Sequence, residues 1–177
     1  MKKKLLIVSE LACSHNGSKL LLHKLISQSY RAGSDAVQFQ IWEAKKLAAI
    51  NSSYYKKLKK LEISIKSWNS TIKFTRIKYP KLKIICSISD PTTLNLLNKK
   101  EIYGYKIHSS DLDNFPLLEK LKKDNKSIHL CTGGRNDFEI IEALKKINKK
   151  NVVLMHGLQL FPTPDDGAYL ERISQLK

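Results

Sequence analysis

Short continuous apolar runs alternate along the chain with longer stretches in which apolar residues recur at helical spacing. The runs "KLLIVSEL" (4–11), "DAVQFQIW" (35–42), "LKIICSIS" (82–89), "GYKIHS" (104–109), "SIHLCTGG" (127–134) and "NVVLMHG" (151–157) read as strands. Helical spacing marks 18–33, 67–79, 91–100, 116–124 and 136–150. Residues 43–65 read as loop and short helix, and 165–177 as the start of a sixth helix or the connection to it. The punctuation agrees with this division. Ser18 is placed as an N-cap and Gly33 as a helix stop, the helix at 67–79 ends before Pro80, and Pro91 stands near a helix start.

Repeated βα units with short connections predict a parallel sheet with helices outside it. Two architectures compete, a doubly wound open sheet and a (β/α)8 barrel. The glycine-rich dinucleotide fingerprint is missing after the first strand. Polar side chains instead cluster at strand ends: Glu10; Gln38 and Gln40; Ser87 and Asp90; Lys106, His108, Ser109 and Asp111; Thr132; and His156. Barrel active sites are assembled this way, one or two groups from each strand. The expected fold is therefore α/β, a TIM-type (β/α)8 barrel with about six βα units present, and residues 1–177 form one partial catalytic domain. On this reading Lys106, Ser109 and Ser87 converge at one rim with Glu10 and Gln40.

Composition narrows the class. A length of 177 residues with 42% hydrophobic content suits one globular core. No apolar run approaches the roughly 20 residues that span a bilayer. The start "MKKKLLIVSEL" is too short in its apolar part for a secretory signal, so a cytoplasmic protein without membrane association is expected. The three cysteines, Cys13, Cys86 and Cys131, have no CxxC spacing, and their odd number argues against a disulfide framework. The net charge of +16 raises nucleic acid as a partner, but only Arg31, Arg76, Arg135 and Arg172 among the 32 basic residues are arginine. The lysines lie in runs such as "KKLKKLEISIK", which suit solvated helix faces, and no nucleic-acid motif accompanies them. A basic surface would still steer anionic substrates inward.

Five segments carry a resemblance. "IVSELACSHNGS" is similar to the opening "IIAEIGxNHNGS" of the sialic acid (N-acetylneuraminate) synthase family, and "AGSDAVQFQ" to its "AGADAVKFQ". "GYKIHSSDLDNFPLLEKL" resembles "AYKIxSGDLxNxPLL", "SIHLCTGGRNDFEIIEAL" resembles "PIILSTGMxTxEEIxxAv", and "VVLMHGLQLFPTP" resembles "ivLLHCtxxYPtP". The matches are collinear from about residue 5 to 166. The resemblance implies a nonulosonate synthase, a transferase of carbohydrate biosynthesis that condenses phosphoenolpyruvate with an N-acetylated amino sugar. Its product is a nine-carbon 2-keto acid. In that family water adds at C2 of phosphoenolpyruvate, its C–O bond breaks, and the enol carbon attacks a sugar aldehyde that a divalent metal (Mn2+ or Mg2+) polarises.

Carried over residue by residue, Lys106 matches a phosphoenolpyruvate-binding lysine, and Ser109 and Ser87 match hydroxyl positions on phosphate or carboxylate oxygens. Glu10 matches an acid that moves a proton at the sugar or the attacking water. Asp111 matches an acid in contact with the sugar, and Asn16 an amide that bonds it. Each has a plainer reading as well: a snorkelling lysine, capping serines, an ion-paired strand-end acid, an Asx turn at Asp111, a left-handed turn at Asn16 beside Gly17. Gln40 completes the set of substrate-binding positions. Gln38 stands where many members have a substrate-binding lysine, Cys131 replaces the serine of "STG", and Gln159 and Phe161 fall where Asn and Tyr are usual. These departures put the substrate in question rather than the fold. The five histidines show no ligand spacing, and the family's two metal-binding histidines would follow the sixth strand, past Lys177. No metal ligand is therefore expected here, nor the family's small antifreeze-like C-terminal domain. A homodimer or a complementing chain is the expected partner. A catalytically inactive truncated or split-gene fragment is the competing expectation, and a Schiff-base aldolase using Lys106 a weaker one.

Overall fold

The computed structural model describes residues 5–148, 150–160 and 162–176. The chain divides into two compact units, Met1–Gly104 and Tyr105–Lys177.

The first unit contains β1 (Val8–Glu10), α1 (Lys19–Arg31), β2 (Ala36–Ile41), α2 (Ala44–Leu47), α3 (Ser53–Leu61), α4 (Ile65–Lys78), β3 (Lys83–Ile88) and α5 (Pro91–Leu96). A single 3-10 turn, Lys99–Glu101, follows. The strands are parallel and adjacent in chain order. The starts of α1, α3 and α4 are chemically specified. The hydroxyls of Ser18, Ser52 and Ser64 accept from the backbone N–H three residues on, which satisfies a donor that has no partner within the helix. Gly33 closes α1 at φ +87°, a conformation closed to most side chains, and its N–H donates to Tyr30 O.

Four sequence expectations are corrected here. The first strand is only Val8–Glu10. Residues 43–65 hold more helix than expected, because a lysine-rich segment is a good helix former once capped. The helix expected at 67–79 starts at Ile65, capped by Ser64. The helix expected over 91–100 breaks after Leu96, because the Asn69 amide captures the backbone there. Its Nδ2 donates to Leu96 O at 2.9 Å and its Oδ1 accepts from Asn98 N at 2.8 Å.

One face of this sheet packs on helices. Phe39 is fully buried and its ring centroid lies 5.3 Å from that of Trp68 on α4. Side chains alternate along a strand, so Val37 and Ile41 share that face and Gln38 and Gln40 take the other. His23, which the sequence suggests is on the surface, is half-buried. It stacks on Phe74 at 4.0 Å and hydrogen-bonds Thr71 Oγ1, joining α1 to α4.

Asp90, a strand-end acid, is spent on structure. It caps α5, accepting from Thr92 N at 2.9 Å, Thr93 N at 3.0 Å and both threonine hydroxyls. Burial pushes its carboxyl up, but the threonine hydroxyls and amides outweigh this and hold it below the ordinary value. Asp90→Ala is therefore expected to cost about 1–2 kcal/mol, measured by urea unfolding at pH 7. A depressed folded-state value means that this contribution is present above the unfolded carboxyl's value and lost as pH falls through the folded one. The difference between wild type and variant should thus shrink on acidification.

The second unit contains β4 (Gly104–Ile107), whose glycine closes the first, α6 (Phe115–Lys122), β5 (Ser127–Cys131), α7 (Asp137–Ile147), β6 (Val152–Met155) and the one-turn helix α8 (Arg172–Gln175). Its strands run in the order β4-β5-β6, with β5 and β6 parallel. A full capping box starts α7. Asn136 Oδ1 accepts from Glu139 N while Glu139 Oε2 accepts from Asn136 N. The segment from 165, expected as the start of a sixth helix or the connection to it, is a 3-10 turn at Asp165–Gly167 followed by α8. Among the described residues no helix is long and apolar enough to cross a membrane.

Candidate active site

In the first unit, register and alternation set the site. Glu10 pairs with Gln38, and Gln40 with Ser87, so all four share the face turned away from Trp68. Gln40 Nε2 donates to Glu10 Oε1 at 2.6 Å, a charge-assisted bond that fixes the carboxylate. Ser87 is buried. Gln38 is 3% exposed, and its Nε2 has no hydrogen-bond partner among the described residues. Asn16 is exposed and does occupy a left-handed turn, at φ +47°. Gly17 follows at φ +73°, and a Cβ there would lie 2.4 Å from Lys60 O, so the loop sits flush against the end of α3. His15, absent from the sequence expectations, secures this turn. Its Nδ1 accepts from Gly17 N at 3.1 Å and its ring meets Trp68 edge-on at 5.7 Å. Burial lowers its pKa, which keeps the imidazole neutral and able to accept.

In the second unit, Tyr105 identifies the helix-facing side of β4. Tyr105 is fully buried, and its hydroxyl donates at 2.7 Å to Asp124, just past α6. Lys106 therefore faces the opposite way, with His108 on the same side by alternation. On β5 the buried Ile128 and Leu130 alternate with His129 and Cys131, and Cys131 pairs with Met155 on β6. Cys131 is half-buried.

The turn after β4 is the best-defined feature. Ser109–Asp111 forms a 3-10 turn in which Ser109 is buried. Ser109 Oγ accepts from Gln159 Nε2, so two sequence-predicted residues fifty positions apart are in direct contact. Arg135 Nε donates to Ser109 O at 2.7 Å, Nη1 reaches Glu139 at 2.8 Å, and Nη2 lies 3.6 Å from Asp113. Arg135 was not singled out from sequence, although an arginine in a lysine-dominated chain, directly after a strand-end "TGG", was a usable signal. His108, Ser109, Ser110, Gly133, Gly134, Arg135 and Gln159 line a cavity of about 390 Å³, within the size range of small-molecule sites. Gly133 is its floor: a Cβ there would lie 2.3 Å from Gly157 O. Asp111 is half-buried, and burial raises its carboxyl above the ordinary value against the opposing pull of the Asn114 amide and the His108 and Arg135 charges.

Other expected groups are committed elsewhere. His156 Nε2 donates to Ala168 O at 2.8 Å, and Thr132 bonds Met155 O through both its N–H and its hydroxyl. Cys86 is fully buried and its thiol is pushed far up by that burial, as befits an inert core cysteine. Phe161 lies outside the described residues.

These are the features of a parallel α/β protein whose polar side chains gather at strand ends. The NeuB family model matches residues 25–177, and the chain belongs to that family. It is 33% identical over 178 residues to protein MJ1065 of Methanocaldococcus jannaschii, covering 97% of this chain and 51% of that protein. It is 31% identical over 194 residues to the N,N'-diacetyllegionaminic acid synthase of Campylobacter jejuni, covering 99% of this chain and 58% of the relative. The chain thus spans about half the length of the curated relatives it matches. The N-acetylneuraminic acid (sialic acid) synthetase structure of Leptospira borgpetersenii superposes with a TM-score of 0.89 at 23% identity, over 98% of this chain and 61% of that one. The six βα units of a TIM-type fold expected from the sequence are borne out.

Proposed function

We propose that this chain serves a nonulosonate synthase reaction, the condensation of phosphoenolpyruvate with an N-acetylated amino sugar to a nine-carbon 2-keto acid. The observation that carries this reading is the cavity at the ends of β4 and β5, where buried Ser109 is held by Gln159 and Arg135. Water adds at C2 of phosphoenolpyruvate, C3 forms a bond to the sugar aldehyde carbon, the C2–O bond breaks, and inorganic phosphate leaves. The aldehyde oxygen takes up a proton. Lys106 and the hydroxyls of Ser109 and Ser87 bind the phosphate and carboxylate, and Cys131 and Gln159 border them. Glu10, oriented by Gln40, accepts the proton of the adding water. Asp111 and Asn16 bind the sugar.

The family resemblance implies a divalent metal. Among the described residues no group of three His, Cys, Asp or Glu side chains is placed to hold one. The described residues do not supply a ligand set, and no step above runs through a metal. Phosphoenolpyruvate is a cytoplasmic metabolite, and we place the protein in that compartment.

Calorimetric titration with phosphoenolpyruvate, beside a keto-acid assay containing manganese and N-acetylmannosamine, tests the reading. Binding with product formation supports the synthase. Binding without product, restored by adding a second chain, supports a complementing partner. No binding of either substrate overturns the proposal.

A further inference from the structure

Ser109 is fixed from both ends. Its carbonyl oxygen closes the turn after β4 by accepting from Leu112 N at 3.3 Å, and it accepts a second, shorter bond from Arg135 Nε at 2.7 Å. Its hydroxyl accepts from Gln159 Nε2. A carbonyl oxygen has two lone pairs, so both are used here, and a bond from a guanidinium is of the stronger, charge-assisted kind. Arg135 is itself held. Its N–H closes a turn on Thr132 O at 3.1 Å, and Nη1 donates to Glu139 Oε1 at 2.8 Å. Glu139 stays in place because its other oxygen, Oε2, accepts from Asn136 N at 2.9 Å in the capping box of α7. The guanidinium thus ties the first turn of α7 to the turn after β4.

Arg135 borders the cavity of about 390 Å³ beside Ser109. Its charge is already taken up, because the carboxylates of Glu139, Asp113 and Asp111 all act on this one guanidinium. Little net positive charge is left there to draw an anion directly, and Lys106 is the cation assigned to that task above. What Arg135 supplies to the cavity is the placement of the Ser109 main chain, and with it the direction of the Ser109 hydroxyl. The resemblance fixes Gly133 and Glu139 in this segment but leaves position 135 open. A lysine at 135 would keep the charge, but an ammonium is a single point where the planar guanidinium meets Ser109 O and Glu139 together. We propose that Arg135 is a positioning residue that aims the Ser109 hydroxyl at bound phosphoenolpyruvate without touching the ligand itself. This rests on the synthase reading given above.

The experiment uses the full chain as wild type, Arg135→Lys, Ser109→Ala and the double variant. Phosphoenolpyruvate affinity is measured by calorimetry at a temperature where circular dichroism shows every variant folded. Arg135→Lys is expected to weaken binding by about tenfold or more in the wild-type background. Made on Ser109→Ala, the same change should alter affinity by less than about twofold, because residues that act as one unit are not additive. A purely structural arginine would lower the melting temperature and leave affinity unchanged in both backgrounds, and that would overturn the proposal. So would an equal loss of affinity in both backgrounds, which marks a direct contact with the anion, or full affinity in Ser109→Ala. Should Arg135→Lys fail to fold, Glu139→Gln replaces it under the same criteria. Glutamine keeps the cap but has one oxygen in place of the two that Glu139 uses on Asn136 and Arg135. Wild type that binds phosphoenolpyruvate no better than Arg135→Lys sinks this inference and leaves the synthase reading standing. Wild type that does not bind phosphoenolpyruvate sinks both.

Discussion

Lys106→Ala is expected to lower phosphoenolpyruvate affinity by roughly 30-fold to several thousandfold, read by calorimetry at fixed ionic strength. Removing one partner of a desolvated charged pair typically costs about 2–5 kcal/mol, and each 1.4 kcal/mol is about tenfold. The ammonium stands on β4, on the side opposite the buried Tyr105, so alanine should leave the helix packing intact. An unchanged melting temperature would show that the lost affinity is local. Lys106→Arg keeps the charge but changes its shape, and should recover only part of the affinity. Full affinity in the alanine variant would remove Lys106 from the anion site and leave the Ser109–Arg135 cavity to bind phosphate on its own.

The second large effect concerns stability. Trp68→Ala should cost about 3–5 kcal/mol by denaturant unfolding, the range for deleting a buried large aromatic. Trp68 is 2% exposed and lies against both Phe39 and His15. Its loss opens a cavity behind β2 and removes a wall from His15, which holds the Asn16–Gly17 turn. Domains are stable by only about 5–15 kcal/mol, so this one change can consume a third or more of the total. Trp68→Phe should recover most of it. A loss below 1 kcal/mol would mean that the cavity collapses, and that the Phe39 face is not the rigid backing it is taken to be.

Much of the fold was legible because helix and strand periodicities alternate without overlap and some helix starts are chemically explicit, Ser18 before α1 and Pro91 opening α5. What escaped the sequence depends on contacts between distant residues. Nothing local announces that Asn69 will end a helix at Leu96, or that His23 will stack on Phe74. The same holds for the site. Strand-end position identified Glu10, Gln40 and Ser109, and the resemblance Gln159, but neither showed that Gln40 grips Glu10 or that Gln159 reaches Ser109. Arg135 was missed because its role is defined by a carbonyl that no side-chain pattern reveals. Conversely, Asp90 and His156 looked functional by position and are occupied by an N-cap and by Ala168 O.

The close approach of Gly133 to Gly157 O bears on how this pocket can evolve. Its floor is main chain pressed against main chain, so drift at position 133 is barred for any residue with a side chain. Ligand preference can then change only through the rim. The side chains of His108, Arg135 and Gln159 border the cavity, and Arg135 and Gln159 also hold Ser109, so exchange there re-aims the turn as well as the border. Such a division, a main-chain base under a border of side chains, would let ligand preference shift by a few border substitutions, with no need to rebuild the strands that carry them.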